Sequence, residues 1–159
     1  MPEISTHYLY PSALFADANP HIINTVLGSC VSVCLYDPVL KTGGINHYML
    51  PFWNGQGLAS PKYGNIAIVR LIEKMISLGS RQPNLVAKVF GGANIFESEL
   101  EHFQIGERNI VVAERTLGEY NIRITGSSVG GNLGRKIQFH SQTGEVRQRM
   151  ISKQKCVNR

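Results

Sequence analysis

The chain has 159 residues, 43% of them hydrophobic, and a formal net charge of +5, so it is long enough to bury about two thirds of its unfolded surface in one globular domain spanning residues 1–159. It needs no disulfide framework: Cys30, Cys34 and Cys156 are odd in number, and the first two would lie about 13 Å apart along a strand, beyond the reach of a bridge. No apolar run approaches the roughly 20 residues of a membrane span, and Met1-Pro2-Glu3 does not open like a secretory leader; the expectation is a cytoplasmic protein with reduced thiols that is not inserted in a membrane.

Residues 1–20 are weakly patterned, with Pro11 and Pro20 as breakers and a short strand expected around Tyr8 to Tyr10. A hairpin follows from Ile22 to Leu50. One arm carries Val26-Leu27-Gly28-Ser29-Cys30-Val31-Ser32-Val33, and the other carries Ile45-Asn46-His47-Tyr48-Met49-Leu50-Pro51. Placing Cys30 opposite His47 also places Tyr36 opposite Lys41 and leaves Asp37-Pro38-Val39-Leu40 as a four-residue loop rich in turn formers. In that register the two Cβ atoms would lie about 5 Å apart, close enough for a thiol and an imidazole to hydrogen-bond. Val31, Val33 and Leu35 suit a core, while Cys30, Ser32 and Cys34 take the opposite, more polar face. Gly28 permits a close approach of backbone or substrate and a turn that aims N–H groups at a developing oxyanion.

Composition alone supports a plainer account of the same residues. A cysteine flanked by valines is commonly a small buried hydrophobe, and a histidine on a strand a half-buried side chain with its hydrogen bonds met. A catalyst needs thiolate, which is scarce for a free cysteine and abundant beside an imidazolium.

Pro51 to Pro61, with Trp53, Gly55 and Gly57, reads as a loop beside the thiol and imidazole. Ile68, Leu71, Ile72, Met75 and Ile76 recur at helical spacing, predicting a helix over Tyr63 to Leu78 stopped by Gly79. A strand over Leu85 to Phe90, an acidic stretch with Glu97, Glu99 and Glu101, a second helix over Asn109 to Leu117 and a strand over Tyr120 to Thr125 come next. The glycine loop Gly126 to Gly134 lacks the Gly-Lys-Ser/Thr ending of a P-loop and leads into a strand, so it reads as a turn and not as a phosphate cradle. The chain closes with a hairpin, Ile137 to His140 turning at Thr143-Gly144 into Val146 to Arg149. Hairpins alternating with two helices predict an α/β domain with a mixed, largely antiparallel β-sheet packed by two main α-helices.

His7, His21, His47, His102 and His140 are scattered without metal-binding spacing, so no metal is expected. From Arg135 onward seven basic residues (Arg135, Lys136, Arg147, Arg149, Lys153, Lys155, Arg159) face Glu145 alone, and residues 150–159 read as a basic, flexible tail. Such a surface suits an acidic protein partner better than nucleic acid, because no aromatic residues interleave with the charges.

Leu27-Gly28-Ser29-Cys30-Val31, the run Asn46 to Pro51, Lys88-Val89-Phe90-Gly91-Gly92-Ala93 and the run Gly130 to Ile137 stand together in this order. In these four motifs the chain resembles the CheD family, bacterial chemoreceptor glutamine deamidases. The resemblance implies a cytoplasmic enzyme that converts glutamines on chemoreceptor cytoplasmic helices to glutamate, with Cys30 as nucleophile and His47 as its base. It implies no cofactor, and a CheC-like phosphatase as a possible partner. It also implies a threonine as third catalytic residue just upstream of the cysteine; Thr25 is the only one nearby, and an alignment anchored on the cysteine places Asn24 there instead. A cysteine peptidase or acyltransferase would use the same thiol and imidazole, and a non-catalytic chemotaxis interaction module would leave them idle.

Overall fold

The structure is a computed structural model, and it describes residues 4–94 and 104–152. Cys156, His102, the acidic stretch with Glu97, Glu99 and Glu101, and Lys153, Lys155 and Arg159 of the basic tail lie outside the described residues. In chain order the elements are β1 (Ser5–Tyr8), β2 (Leu14–Asp17), β3 (His21–Leu27), β4 (Val31–Asp37), β5 (Thr42–Asn46), α1 (Gly64–Ser77), β6 (Val86–Gly91), α2 (Ile105–Glu119), β7 (Arg123–Val129), β8 (Gly134–His140) and β9 (Val146–Ile151).

Three layers result. The strands divide between a five-stranded sheet, ordered β2-β5-β4-β6-β7, and a four-stranded sheet, ordered β1-β3-β8-β9. Both are mixed: β1 with β3 and β6 with β7 run parallel, and the other described pairs are antiparallel. The predicted α/β class with two main helices is borne out. Val31, Val33 and Leu35 point at the helices and pack with Ala67, Ile68, Leu71, Val112 and Leu117, while Leu9, Ile23, Leu27, Cys34, Ile45, Ile137 and Phe139 fill the space between the sheets. β4 is buried on both faces, so that even its polar Ser32 and Asp37 lie inside.

α1 follows from its row of buried residues, Gly64, Ala67, Ile68, Leu71, Ile72 and Met75, spaced to line one face. It ends as expected at Gly79, which takes φ +110°. The Gly79 N–H donates to Ile76 O (2.9 Å) and the Ser80 N–H to Met75 O (3.1 Å), the double bond of a Schellman stop.

Four local expectations are revised. The first twenty residues supply two four-residue strands in place of one at Tyr8 to Tyr10; β1 is almost wholly exposed and has no alternation to read, being held by its parallel register Ser5–His21 to Tyr8–Asn24 against β3. β3 is not an arm of the hairpin but the neighbour of β8 in the other sheet. α2 begins four residues before Asn109, because Gln104 (φ 65°) turns the chain into the helix where no apolar periodicity announces it. β7 continues through Gly126 to Val129, leaving only residues 130–133 as the turn, with Gly130 and Gly131 at φ +81° and +73°.

Candidate active site

Thr25 lies on the inward face of β3 between Ile23 and Leu27, opposite Ile137 of β8, and is fully buried. Its Oγ1 lies 2.7 Å from the carbonyl oxygen of Leu9 and 2.7 Å from Nδ1 of His47. A threonine hydroxyl has one proton, and a carbonyl can only accept. The hydroxyl therefore donates to Leu9 and accepts from an Nδ1–H of His47, so the neutral ring carries its lone pair on Nε2. Asn24 points the other way, where its Oδ1 accepts from Gln138 Nε2 at 3.3 Å.

His47 is 2% exposed and follows the last residue of β5. Its backbone is held from the side of β2: its N–H donates to Ala13 O at 3.1 Å, and its carbonyl accepts from Ser12 N at 2.8 Å. Toward β4 the ladder is open. Cys34 pairs with Ile45 and Asp37 with Thr42, Val31 meets Tyr48 in an isolated bridge, and between them the Val33 N–H donates to the side-chain Oδ1 of Asn46 (2.8 Å).

This register differs from the expected one by two residues. Extended from the bridge, it puts Met49 opposite Cys30, with His47 diagonal to the thiol on the same face. The turn is the cause: Asp37 stays in the strand, its Oδ1 accepts the N–H groups of Val39 and Leu40 (2.9 and 3.1 Å), and Lys41 takes φ 56°. Residues 38–41 thus form the loop in place of Asp37 to Leu40. A two-residue slip keeps every side chain on its face, so the thiol and the imidazole remain on one side of the sheet.

Cys30 ends the Gly28-Ser29 turn just before β4, is half-buried, and packs on the cluster between the sheets. The end of β6 straps this turn down, with Gly92 N donating to Cys30 O (2.9 Å) and Ala93 N to Gly28 O (3.0 Å). Gly91 sits against it at φ +106°, and a Cβ there would collide with the Cys30 carbonyl oxygen. Ser32 and Cys34 share that face, but the second sheet covers it: both are buried, and the polar face expected from the sequence is an interior one.

Burial sets the electrostatics. It pushes the pKa of His47 down to about 4, so the resting ring is neutral and not the imidazolium on which an abundant thiolate would depend. It raises the Cys34 thiol, which makes that sulfur a poor nucleophile. Tyr48 is held well above the usual phenol range, first by burial and then by the charge that Cys30 would carry, and its hydroxyl donates to Asn109 O at 2.6 Å.

Two residues near the site escaped the sequence reading. Asn109 is fully buried on α2, and its Nδ2 donates to both Ser29 O (2.9 Å) and Met49 O (3.0 Å). The available signal was an amide on the stripe Asn109, Val112, Ala113, Thr116, Leu117, where every neighbour is buried. Arg135, counted above with the basic surface, is 3% exposed; its Nε donates to Ser128 Oγ (3.1 Å) and an Nη to Gly130 O (3.0 Å), pinning the glycine turn. A cleft of about 350 Å³ opens beside Ser29, between Gly92, Ala93, Gly106, Ile110 and Gly131. Among the described residues no three His, Cys, Asp or Glu side chains converge as metal ligands would, and no helix is long and apolar enough to cross a membrane.

A family model described as CheD chemotactic sensory transduction matches residues 49–150. The chain is 50% identical over 143 residues to a protein of Trichlorobacter lovleyi named probable chemoreceptor glutamine deamidase CheD, covering 90% of this chain and 89% of that one. It is 48% identical over 153 residues to a protein of the same name from Sulfurimonas denitrificans, covering 95% and 97%. A protein of Thermotoga maritima named chemoreceptor glutamine deamidase CheD is 37% identical over 134 residues, 84% of each chain.

Proposed function

The chain belongs to the CheD family, and from that premise we propose that it deamidates glutamines of chemoreceptors, with Cys30 as nucleophile, His47 as general base and Thr25 orienting the ring. The observation that carries the reading is the hydrogen bond from His47 Nδ1 to Thr25 Oγ1, which leaves Nε2 as the free base on the face where Cys30 lies.

In this reading a receptor segment presents its glutamine side chain to the half-buried sulfur of Cys30. His47 Nε2 takes the thiol proton as Sγ attacks the amide carbon, forming a tetrahedral adduct whose oxyanion is held by backbone N–H groups of the turn. The C–N bond breaks as the imidazolium returns its proton to nitrogen, and ammonia leaves. Water, deprotonated by the same Nε2, then attacks the thioester; the C–S bond breaks, the thiol regains a proton, and glutamate remains. A neutral resting imidazole fits this sequence, since it accepts a proton only as the attack proceeds. No step calls for a metal or a cofactor.

Mass spectrometry of a receptor cytoplasmic fragment incubated with the wild-type protein and with Cys30→Ala tests it. The expected result is ammonia release with a gain of about 1 Da per modified glutamine, an amide exchanged for an acid, for the wild type alone. Cleavage of the fragment would identify a peptidase, and tight association without a mass change would identify an interaction module; either overturns the proposal.

A further inference from the structure

Between the segments that carry the thiol and the imidazole the β4–β5 ladder is interrupted after Cys34–Ile45. The turn through Ser29 precedes β4, and Tyr48-Met49 lies beyond β5 with only the Val31 bridge between them. Besides the two backbone hydrogen bonds of that bridge (3.1 and 3.0 Å), one amide group spans them. Nδ2 of Asn109 donates one hydrogen to the carbonyl of Ser29, the residue before the nucleophile, and the other to the carbonyl of Met49, two residues after the base. Two acceptors on one NH₂ group at these distances are fixed about 5 Å apart by the angle between its N–H bonds. The orientation of the amide is forced, because the opposite flip would set Oδ1 against two carbonyl oxygens.

Asn109 lies one turn inside α2, so this side chain does not cap its own helix. It reaches residues 80 and 60 positions away in sequence. Its own Oδ1 is buried with no hydrogen-bond partner among the described residues, so the amide is held through its donors alone. The helix is in turn tied to the same place by Tyr48, whose hydroxyl donates to Asn109 O.

We propose that Asn109 is a positioning residue for the reaction: its amide clamps the nucleophile turn to the segment bearing the base, and so sets the distance across which the proton moves. This rests on the roles given above to Cys30 and His47. The experiment compares Asn109→Ala, Asn109→Asp, Tyr48→Phe and a control, Thr116→Ala, which removes another buried polar group from the same face of α2 without touching either segment. For each, kcat and KM of deamidation are measured on a receptor fragment, together with thermal stability.

Both Asn109 variants are expected to lose about 10- to 100-fold in kcat, as for a slight misplacement of reacting groups, with KM within about threefold. Tyr48→Phe, which keeps the ring, is expected to lose about 3- to 10-fold in kcat. Thr116→Ala should lower stability and leave kcat within about twofold of wild type. The clamp is overturned if folded Asn109 variants keep wild-type kcat, if only KM rises, or if Thr116→Ala loses as much kcat at equal stability. Should neither Asn109 variant fold, Tyr48→Phe with kcat within about twofold of wild type overturns it. Failure of the underlying roles looks different: Cys30→Ala would then retain activity while the Asn109 variants behave as above.

Discussion

The Thr25 hydroxyl stands 2.7 Å from Nδ1 of His47 and 2.7 Å from the carbonyl of Leu9. Two partners competing for a single hydroxyl proton leave one solution, so a side chain of the four-stranded sheet dictates the tautomer of a ring on the five-stranded one. The contact also fixes ring orientation, as the third member of a nucleophile triad does. In the proposed mechanism the site therefore depends on how the two sheets stack.

Thr25→Val should therefore lower kcat by about 10- to 100-fold while leaving Leu9 O and His47 Nδ1 without a partner, at a cost of about 1–3 kcal/mol in stability. Thr25→Ser, which keeps the hydroxyl, should stay within about tenfold of wild type. Asn24→Ala should change kcat by less than about threefold, since Asn24 faces Gln138 on the outer surface. Ammonia release with denaturation midpoints decides the matter; a loss in Asn24→Ala equal to that in Thr25→Val would reassign the position.

His47 supplies a pH dependence of definite sign. Its pKa is about 4 in the folded protein against an ordinary 6.5, so between those values the unfolded chain binds a proton that the native state lacks. Stability is unaffected by this group above about pH 6.5, falls as pH drops toward 4, and loses about 3 kcal/mol in all by this route. Urea unfolding of wild type and His47→Gln from pH 7 to pH 4 should show the wild type losing stability faster. Parallel curves would mean that the ring is not desolvated as described.

The parts of the fold that could be read from sequence are those in which one residue type forces one geometry. Gly79 stops α1, Thr143-Gly144 turns β8 into β9, and the apolar spacing of Ile68, Leu71, Ile72 and Met75 marks the helix itself. The hairpin was legible in kind but not in register, because the decision between Asp37 and Lys41 as the edge of the loop rests on side-chain hydrogen bonds to the backbone. The second sheet left no local mark: the alternation of Ser32 and Cys34 reads as a solvent face until β3 and β8 are known to cover it. Cys30, His47 and Thr25 were nameable as candidates, whereas Asn109 acts through contacts 60 and 80 residues distant that no spacing rule connects.

The covering sheet also separates the two described thiols. Cys30 is half-buried at the end of a turn, while Cys34 is 2% exposed and its pKa is raised by burial. Under native conditions iodoacetamide should modify Cys30 at least about 100-fold faster than Cys34, with peptide mapping to distinguish the sites. In denaturant the two should react at similar rates. Comparable native rates would show that the sheets do not seal the second sulfur.

The glycine that ends β6 offers a structural test of how the turn that carries Cys30 is held. Gly91 adopts φ +106°, and a Cβ there would collide with the Cys30 carbonyl oxygen, so alanine meets both a strained backbone and a main-chain atom. Gly57 in the loop before α1 has φ +73° with nothing near its missing side chain, and isolates the conformational part. Gly57→Ala should cost about 1 kcal/mol, whereas Gly91→Ala should cost about 3 kcal/mol or more and depress ammonia release beyond what its residual folded fraction explains. Equilibrium unfolding of both variants, with activity normalised to folded protein, measures the difference; equal costs would mean that the end of β6 does not bear on the turn that carries Cys30.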